Sequence, residues 1–138
     1  MGFLLDTNII SELKRRRPEP RVADWITAVD EDLLFISVLT LGEIRKGITR
    51  VHDAGRRLEL EAFLNDDILT RFQGRVLPVD VAVADRWGRI AAQLTPQALP
   101  VIDALLAATA LHHNLTLVTR NTRDVERTGV SILNPWLV

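Results

Sequence analysis

The chain reads as a single α/β domain over residues 1–138: a three-layer α/β/α sandwich around a mostly parallel central sheet of four to five strands. Three observations carry that prediction. Short apolar runs of strand length alternate with longer stretches whose apolar residues recur three and four apart. Strands separated by helical stretches need crossover connections, which make a sheet parallel and place helices on its faces. The chain contains no internal repeat, low-complexity tract or linker, and 138 residues suffice for one core that buries about two thirds of the unfolded chain's surface.

Residues 2–5 form the first expected strand and 7–14 a short helix that ends in the basic run Lys14, Arg15, Arg16, Arg17. Beyond Pro18 and Pro20, Val22, Trp25, Ile26 and Val29 fall at helical spacing, which gives a helix over 20–29. Asp30, Glu31 and Asp32 make a polar turn before a buried strand over 33–38. From Thr40 the period is helical again: Leu41, Ile44, Ile48 and Val51 share a face, with Thr40 the expected N-cap and Glu43 at the third helical position. Residues 53–72 continue as one longer helix with Leu58, Leu60, Phe63, Leu64, Ile68 and Leu69 as its buried stripe, closed by Gly74. A third strand over 75–79, a helix over 81–94 and a two-proline loop over 95–100 follow. The last third holds a helix over 102–113, a strand over 116–118, a polar segment over 119–124 and a closing strand over 130–133.

Composition excludes several classes. With no cysteine there is no disulfide, thiolate metal site or Cys nucleophile, which fits a reducing cytoplasm. A formal net charge of −1 provides no global basic field, so a polyanion must be held by a local patch or through a metal. No apolar run approaches the length of about 20 residues that a bilayer requires, and the few apolar residues before Asp6 are too short for a secretory signal. The Met-Gly start meets Asp6 where a myristoylation motif wants Ser or Thr.

The chemistry gathers around acids in unusual settings. In FLLDTNIISE (residues 3–12) a short apolar run stops on Asp6. A strand that delivers a carboxylate to its C-terminal end is a common way to build an α/β site, while a helix cap by Asp6 or Thr7 is the structural alternative. Glu43 inside VLTLGEI, Asp103 inside LPVIDALLAATA and Asp124 at the close of TRNTRD share the oddity. An unpaired carboxylate in apolar surroundings costs several kcal/mol, so each acid pairs with a cation, changes protonation or faces a pocket. All four positions can converge on one sheet edge, where a divalent cation would relieve their repulsion. Hard oxygen donors without Cys or a paired-His motif suit Mg²⁺ or Mn²⁺, and such a cluster can hold two ions about 4 Å apart for phosphodiester cleavage. On the residues alone, each acid serves equally well as a cap or a surface salt-bridge partner.

LLDTNIIS, the Glu of LTLGEIRKG, the Asp of PVIDALLAATA and TRNTRD, in that order, resemble the four motifs of PIN-domain ribonucleases, and most of all the VapC toxins of toxin–antitoxin pairs in their FitB-like branch. The resemblance runs to the terminal NPW. It implies a PIN-like fold and Mg²⁺- or Mn²⁺-dependent endonucleolytic cleavage of RNA, tRNA or rRNA being the expected targets, by in-line attack of water that leaves a 5′-phosphate. Carried over by position, Asp6, Glu43 and Asp103 are the main metal ligands and Asp124 the fourth acid. Thr119 orients the site, and Asn8 and Asn121 support the carboxylates. Val125 departs from the aromatic often found after the fourth acid. A VapB-type antitoxin seated in a groove of the early helices, a homodimer and a toxin–antitoxin hetero-oligomer are implied partners. The competing reading is a catalytically weak PIN-like module that binds nucleic acid or protein. An aspartyl-phosphate phosphotransferase would want a second Asp where Asn8 stands.

Other signals have structural explanations beside the functional ones. Lys14, Arg15, Arg16 and Arg17 could follow RNA phosphates or favour the negative end of a helix dipole. Arg45, Lys46, Arg120 and Arg123 adjoin the motif acids. His112 and His113 diverge by about 100° on a helix and are not read as ligands. Trp25, Trp87 and Trp136 are expected in core packing rather than base stacking.

Overall fold

The computed structural model describes residues 2–138, so the expected domain is described from Gly2 onward. Strands β1 (Gly2–Leu5), β2 (Leu34–Ser37), β3 (Val76–Leu77), β4 (Leu115–Val118) and β5 (Ile132–Leu133) form one five-stranded sheet in the order β3-β2-β1-β4-β5. Every neighbouring pair is parallel, with Phe3 opposite both Leu34 and Thr116, Ile36 opposite Val76, and Leu117 opposite Ile132. The chain leaves β1 to build β2 and β3 on one side, then returns to build β4 and β5 on the other. The switch point therefore lies between β1 and β4, where parallel sheets open a crevice at their carboxyl edge. At the opposite edge a Cβ on Gly2 would meet Leu115 Cδ2 at 2.8 Å and Leu33 O at 3.2 Å, so a larger residue there would have to displace the Leu115 side chain and push slightly on the Leu33 carbonyl.

The pleat sorts the core into two faces. Phe3, Leu5, Leu34, Ile36 and Val118 pack against Ile9 and Ile10 of α1 (Thr7–Lys14), Val22 and Ile26 of α2 (Pro20–Ala28), and Ile48 of α3 (Val38–Thr49). The same cluster takes in Leu60 of α4 (Ala54–Ala62) and Phe72, just after α5 (Leu69–Arg71). Leu4 and Leu117 face the other way, onto Leu106, Ala107 and Ala110 of α7 (Val101–His112). Those alanines let α7 approach the sheet closely, and α6 (Val81–Gln93) packs on the outside of α7 through Val83, Ile90 and Ala108. The expected three layers result, with every strand pair parallel. No helix among the described residues is long and apolar enough to cross a membrane.

Several boundaries differ from the sequence expectation. α3 starts at Val38 and is capped by Ser37, whose hydroxyl accepts from Leu39 N at 3.0 Å, so Thr40 is not the N-cap. Glu43 consequently sits in the second turn of α3, at its sixth residue. The helix expected over 53–72 is capped by Asp53 and interrupted by a π-helical segment, Phe63–Ile68, before α5. A wide turn rotates the buried stripe, and Leu58 and Leu69, both expected in that stripe, are 67 % and 40 % exposed. Gly74, at φ +81°, closes the element as expected. The polar segment 119–124 ends in a four-residue helix, α8 (Thr122–Val125).

Candidate functional site

Asp6 emerges where β1 ends, and its backbone N–H still pairs with Val118 O at 2.9 Å, which holds it at the switch point. The cap and site readings of this residue are compatible. Asp6 Oδ1 caps α1 by accepting from Thr7 N at 2.6 Å, while Oδ2 accepts from Thr119 Oγ1 at 2.7 Å and from Asn8 Nδ2 at 3.2 Å. Asp6, not Thr7, is thus the N-cap. Thr119 is fully buried beyond the end of β4 and also accepts from Asn121 N at 3.0 Å. Asn8 Oδ1 is buried with no donor among the described residues.

Glu43 reaches the same cleft from α3 and accepts a short hydrogen bond from Thr7 Oγ1. Thr7 Oγ1 in turn lies 3.4 Å from Thr40 Oγ1, so the residue expected as a cap instead backs the site. Asp103 lies in the first turn of α7. Asn121 Nδ2 faces Asp103 Oδ2 at 3.4 Å and Asp124 Oδ2 at 3.3 Å, which ties α7 to α8. Burial pushes the Asp103 carboxyl above its usual range, and the charges of Asp6, Asp124 and Glu43 push it further. The other three acids are therefore within electrostatic reach of Asp103.

The cleft, about 550 Å³, is lined by the acids Asp6, Glu12, Glu43 and Asp103 together with Arg15, Arg120, Asn121 and Trp136; Asp124 does not line it and is tied to it through Asn121. Its acidic donors are hard oxygens, and no His lines it. That donor set, together with an acid destabilised in its charged form by three others, fits a divalent cation. Among the described residues no three acid or His side chains are drawn close enough to make a ready cage. A smaller, more apolar cleft of about 330 Å³ adjoins, lined in part by Ile10, Ile44, Ile48, Leu60 and Phe63 and sharing Thr7, Ser11, Arg15 and Glu43.

The basic run divides. Lys14 lies over the Phe63 ring at 5.2 Å in the apolar cleft, Arg15 lines both clefts, and Arg16 and Arg17 are exposed outside them. Arg45 is engaged elsewhere, with Asn65 and Glu61. Trp25 packs edge-on against Phe3 at 5.1 Å and Trp87 against α7, as expected for core residues. Trp136 touches the core yet also lines the acidic cleft, beneath Arg120. Glu12 was not singled out from the sequence. The signal was there: Asn8, Glu12 and Arg15 share one face of α1, opposite Ile9, Ile10 and Leu13.

The class so defined is a five-stranded parallel α/β domain with an acidic cleft at its switch point. The PIN domain family model matches residues 3–130, and the chain belongs to the PIN-domain family. It is 35 % identical to the toxin FitB of Neisseria gonorrhoeae over 136 residues, 97 % of this chain and 98 % of that one. It is 34 % identical to the VapC ribonuclease Y4jK of Sinorhizobium fredii, over 97 % of each chain. The crystal structure of FitAcB from Neisseria gonorrhoeae superimposes with a TM-score of 0.92 at 34 % identity, covering 99 % of both chains.

Proposed function

We propose that this chain is a metal-dependent endoribonuclease, the toxin of a toxin–antitoxin pair acting in the cytoplasm on tRNA or rRNA. The observation that carries the proposal is geometric: Asp6, Glu43 and Asp103, delivered by β1, α3 and α7, line one cleft, and Asn121 ties Asp124 to Asp103 at its edge. The names of the relatives, a toxin and a VapC ribonuclease, support the same reading.

In this reading Asp6, Glu43 and Asp103 hold Mg²⁺ or Mn²⁺ directly and Asp124 joins them across Asn121. The ion, when bound, supplies a lowered pKa for the attacking water and charge neutralisation at the leaving oxygen. The chain's own residues supply orientation. Thr7 N, Asn8 and Thr119 fix both oxygens of Asp6, Thr7 Oγ1 restrains Glu43, and Asn121 keeps Asp103 and Asp124 apart yet aligned. The adjoining apolar cleft suits a helical or extended VapB-type antitoxin segment whose basic residue reaches the acids through the shared Glu43. A homodimer belongs to the same proposal.

The test is cleavage of tRNA and rRNA by the purified chain with Mg²⁺ or Mn²⁺ against an EDTA control, with mapping of the ends. The expected result is metal-dependent cutting that leaves 5′-phosphates and is abolished in folded Asp6→Asn and Asp103→Asn. Cleavage at the wild-type rate in EDTA, or in either variant, refutes the mechanism. Copurification with a small co-expressed neighbouring protein tests the antitoxin, and light scattering the dimer.

A further inference from the structure

Glu12 is a carboxylate in the acidic cleft that none of these roles uses, and it is only 5 % exposed. Its surroundings differ from those of the motif acids. Oε2 accepts from Glu19 N at 2.8 Å and Oε1 from Arg15 Nη1 at 3.2 Å. The Glu19 N–H first, then Arg15 and the charge of Arg120, hold its carboxyl below the usual range against the effect of burial. Asp103 and Glu12 thus stand in opposite fields within one cleft, the first among anions and the second among cations.

Both arginines are presented rather than consumed. Arg15 keeps 66 % of its side chain exposed while paired to Glu12. Arg120 is exposed and lies over the Trp136 ring, its guanidinium carbon 5.0 Å from the centroid. Trp136 is itself fixed, since its carbonyl accepts from Arg21 Nη1 at 2.8 Å and its N–H donates to Asn134 Oδ1 at 3.0 Å. A guanidinium carries five donors in a planar fork that matches phosphate oxygens, and one contact to Glu12 leaves most of Arg15's free.

We propose that Arg15 and Arg120, positioned by Glu12 and Trp136, are a phosphate clamp that grips the RNA backbone beside the phosphate being cut. The proposal rests on the ribonuclease reading above. The chain, at net charge −1, has no global field to draw in a polyanion, and the cleft carries the acids Asp6, Glu43 and Asp103. Arg15 and Arg120, which line the same cleft, give an RNA strand cations to bind where those carboxylates alone would repel it. Arg16 and Arg17, although part of the basic run, line neither cleft and take no part.

The experiment uses fluorescence anisotropy of a short fluorescein-labelled single-stranded RNA with Mg²⁺ across a KCl series, in the Asp103→Asn background so that the probe stays intact. Each phosphate contact to a single strand contributes about 0.7 to the slope of log K against log salt. Arg15→Gln and Arg120→Gln are each expected to lower the slope by about 0.7, and the pair by about 1.4. Arg15→Lys and Arg120→Lys restore it, and Arg89→Gln on α6 leaves it unchanged. Glu12→Gln, measured well below its melting temperature, is expected to weaken binding although it removes a negative charge, because it releases Arg15. An unchanged slope in the double glutamine variant overturns the clamp while wild-type RNA binding leaves the ribonuclease reading standing. If that variant instead fails to copurify with the co-expressed partner, the arginines belong to the protein interface and the clamp is overturned. Tighter binding by Glu12→Gln overturns its positioning role. A background protein that binds no RNA overturns the clamp together with the reading on which it rests.

Discussion

Thr119 is the position at which stability and site geometry can be perturbed by a single atom. Its hydroxyl is 1 % exposed, donates to Asp6 Oδ2 at 2.7 Å and accepts from Asn121 N at 3.0 Å. Thr119→Val replaces the hydroxyl with a methyl of nearly the same shape, so the buried volume is kept and only hydrogen bonds are lost. A bond to a charged group contributes about 1.5–3 kcal/mol. The stranded Asn121 N–H adds about 1 kcal/mol at most, since Asn121 is exposed and water can reach it. The expected loss is therefore about 2–4 kcal/mol. At roughly 3 °C per kcal/mol for a chain of this size, the melting temperature falls by about 6–12 °C. Circular dichroism melts in EDTA at pH 7 measure this without any contribution from bound metal. Asp6 also loses one of the donors that fix Oδ2, leaving Asn8 at 3.2 Å, so metal-dependent RNA cleavage should fall as well. A stability loss under about 1 kcal/mol would refute the claim that this hydroxyl anchors Asp6.

Two further outcomes follow from the carboxylates' opposite environments. Asp103, with its carboxyl raised above the ordinary 3.8 by burial and then by Asp6, Asp124 and Glu43, contributes full stability below that ordinary value and loses it as pH rises through the folded-state value. In EDTA at pH 7, Asp103→Asn should accordingly melt above wild type, with the gap closing in acid, and a lower melting temperature at neutral pH would contradict the repulsion argument. Glu12 has the reverse sign: lowered from the ordinary 4.5 chiefly by the Glu19 N–H, it stabilises above that value and loses its contribution as pH falls through the folded-state value. Glu12→Gln should cost about 1–2 kcal/mol at pH 7 and progressively less below pH 4.5; a deficit independent of pH in matched melts would assign the effect to packing instead.

What was legible in the sequence was whatever repeats with the period of an element. The apolar runs and the three-four spacing gave the strand and helix order, and the setting of Asp6, Glu43 and Asp103 marked residues that one cleft then brings together. What was not legible was decided by local competition or by distant contact. Ser37 and Thr40 can both cap a helix, and the choice falls to Ser37 because the chain turns helical the moment it leaves β2. The π-helical segment is invisible because Phe63, Leu64 and Ile68 satisfy an α-helical stripe equally well. α8 has four residues, too few for any period, so TRNTRD reads only as polar. The pairing of Arg120 with Trp136 depends on the C-terminal segment coming back past α2, as the Arg21 bond to Trp136 O records, and Glu12 is held by the chain turning back after α1 to bring Glu19 N against it.

The division of charge inside the cleft also explains how the chain can carry its acids without unfolding. Burying a carboxylate near others of the same charge has a cost, and it is seen in the Asp103 carboxyl, raised first by burial and then by Asp6, Asp124 and Glu43. Small neutral donors limit it: Thr7, Asn8, Thr119 and Asn121 each give a hydrogen to an acid while adding no charge that would compete with a cation. Arginine in those places would neutralise the cluster permanently, as Arg15 does for Glu12, and leave it nothing to offer a metal. The two sets of carboxylates in the cleft therefore have different partners. In the proposed ribonuclease, amides and hydroxyls leave the motif acids free for an ion, and the guanidiniums beside Glu12 are left free for phosphate. The net charge of −1 conceals this arrangement because the opposing charges nearly cancel across the chain while remaining separated within the cleft.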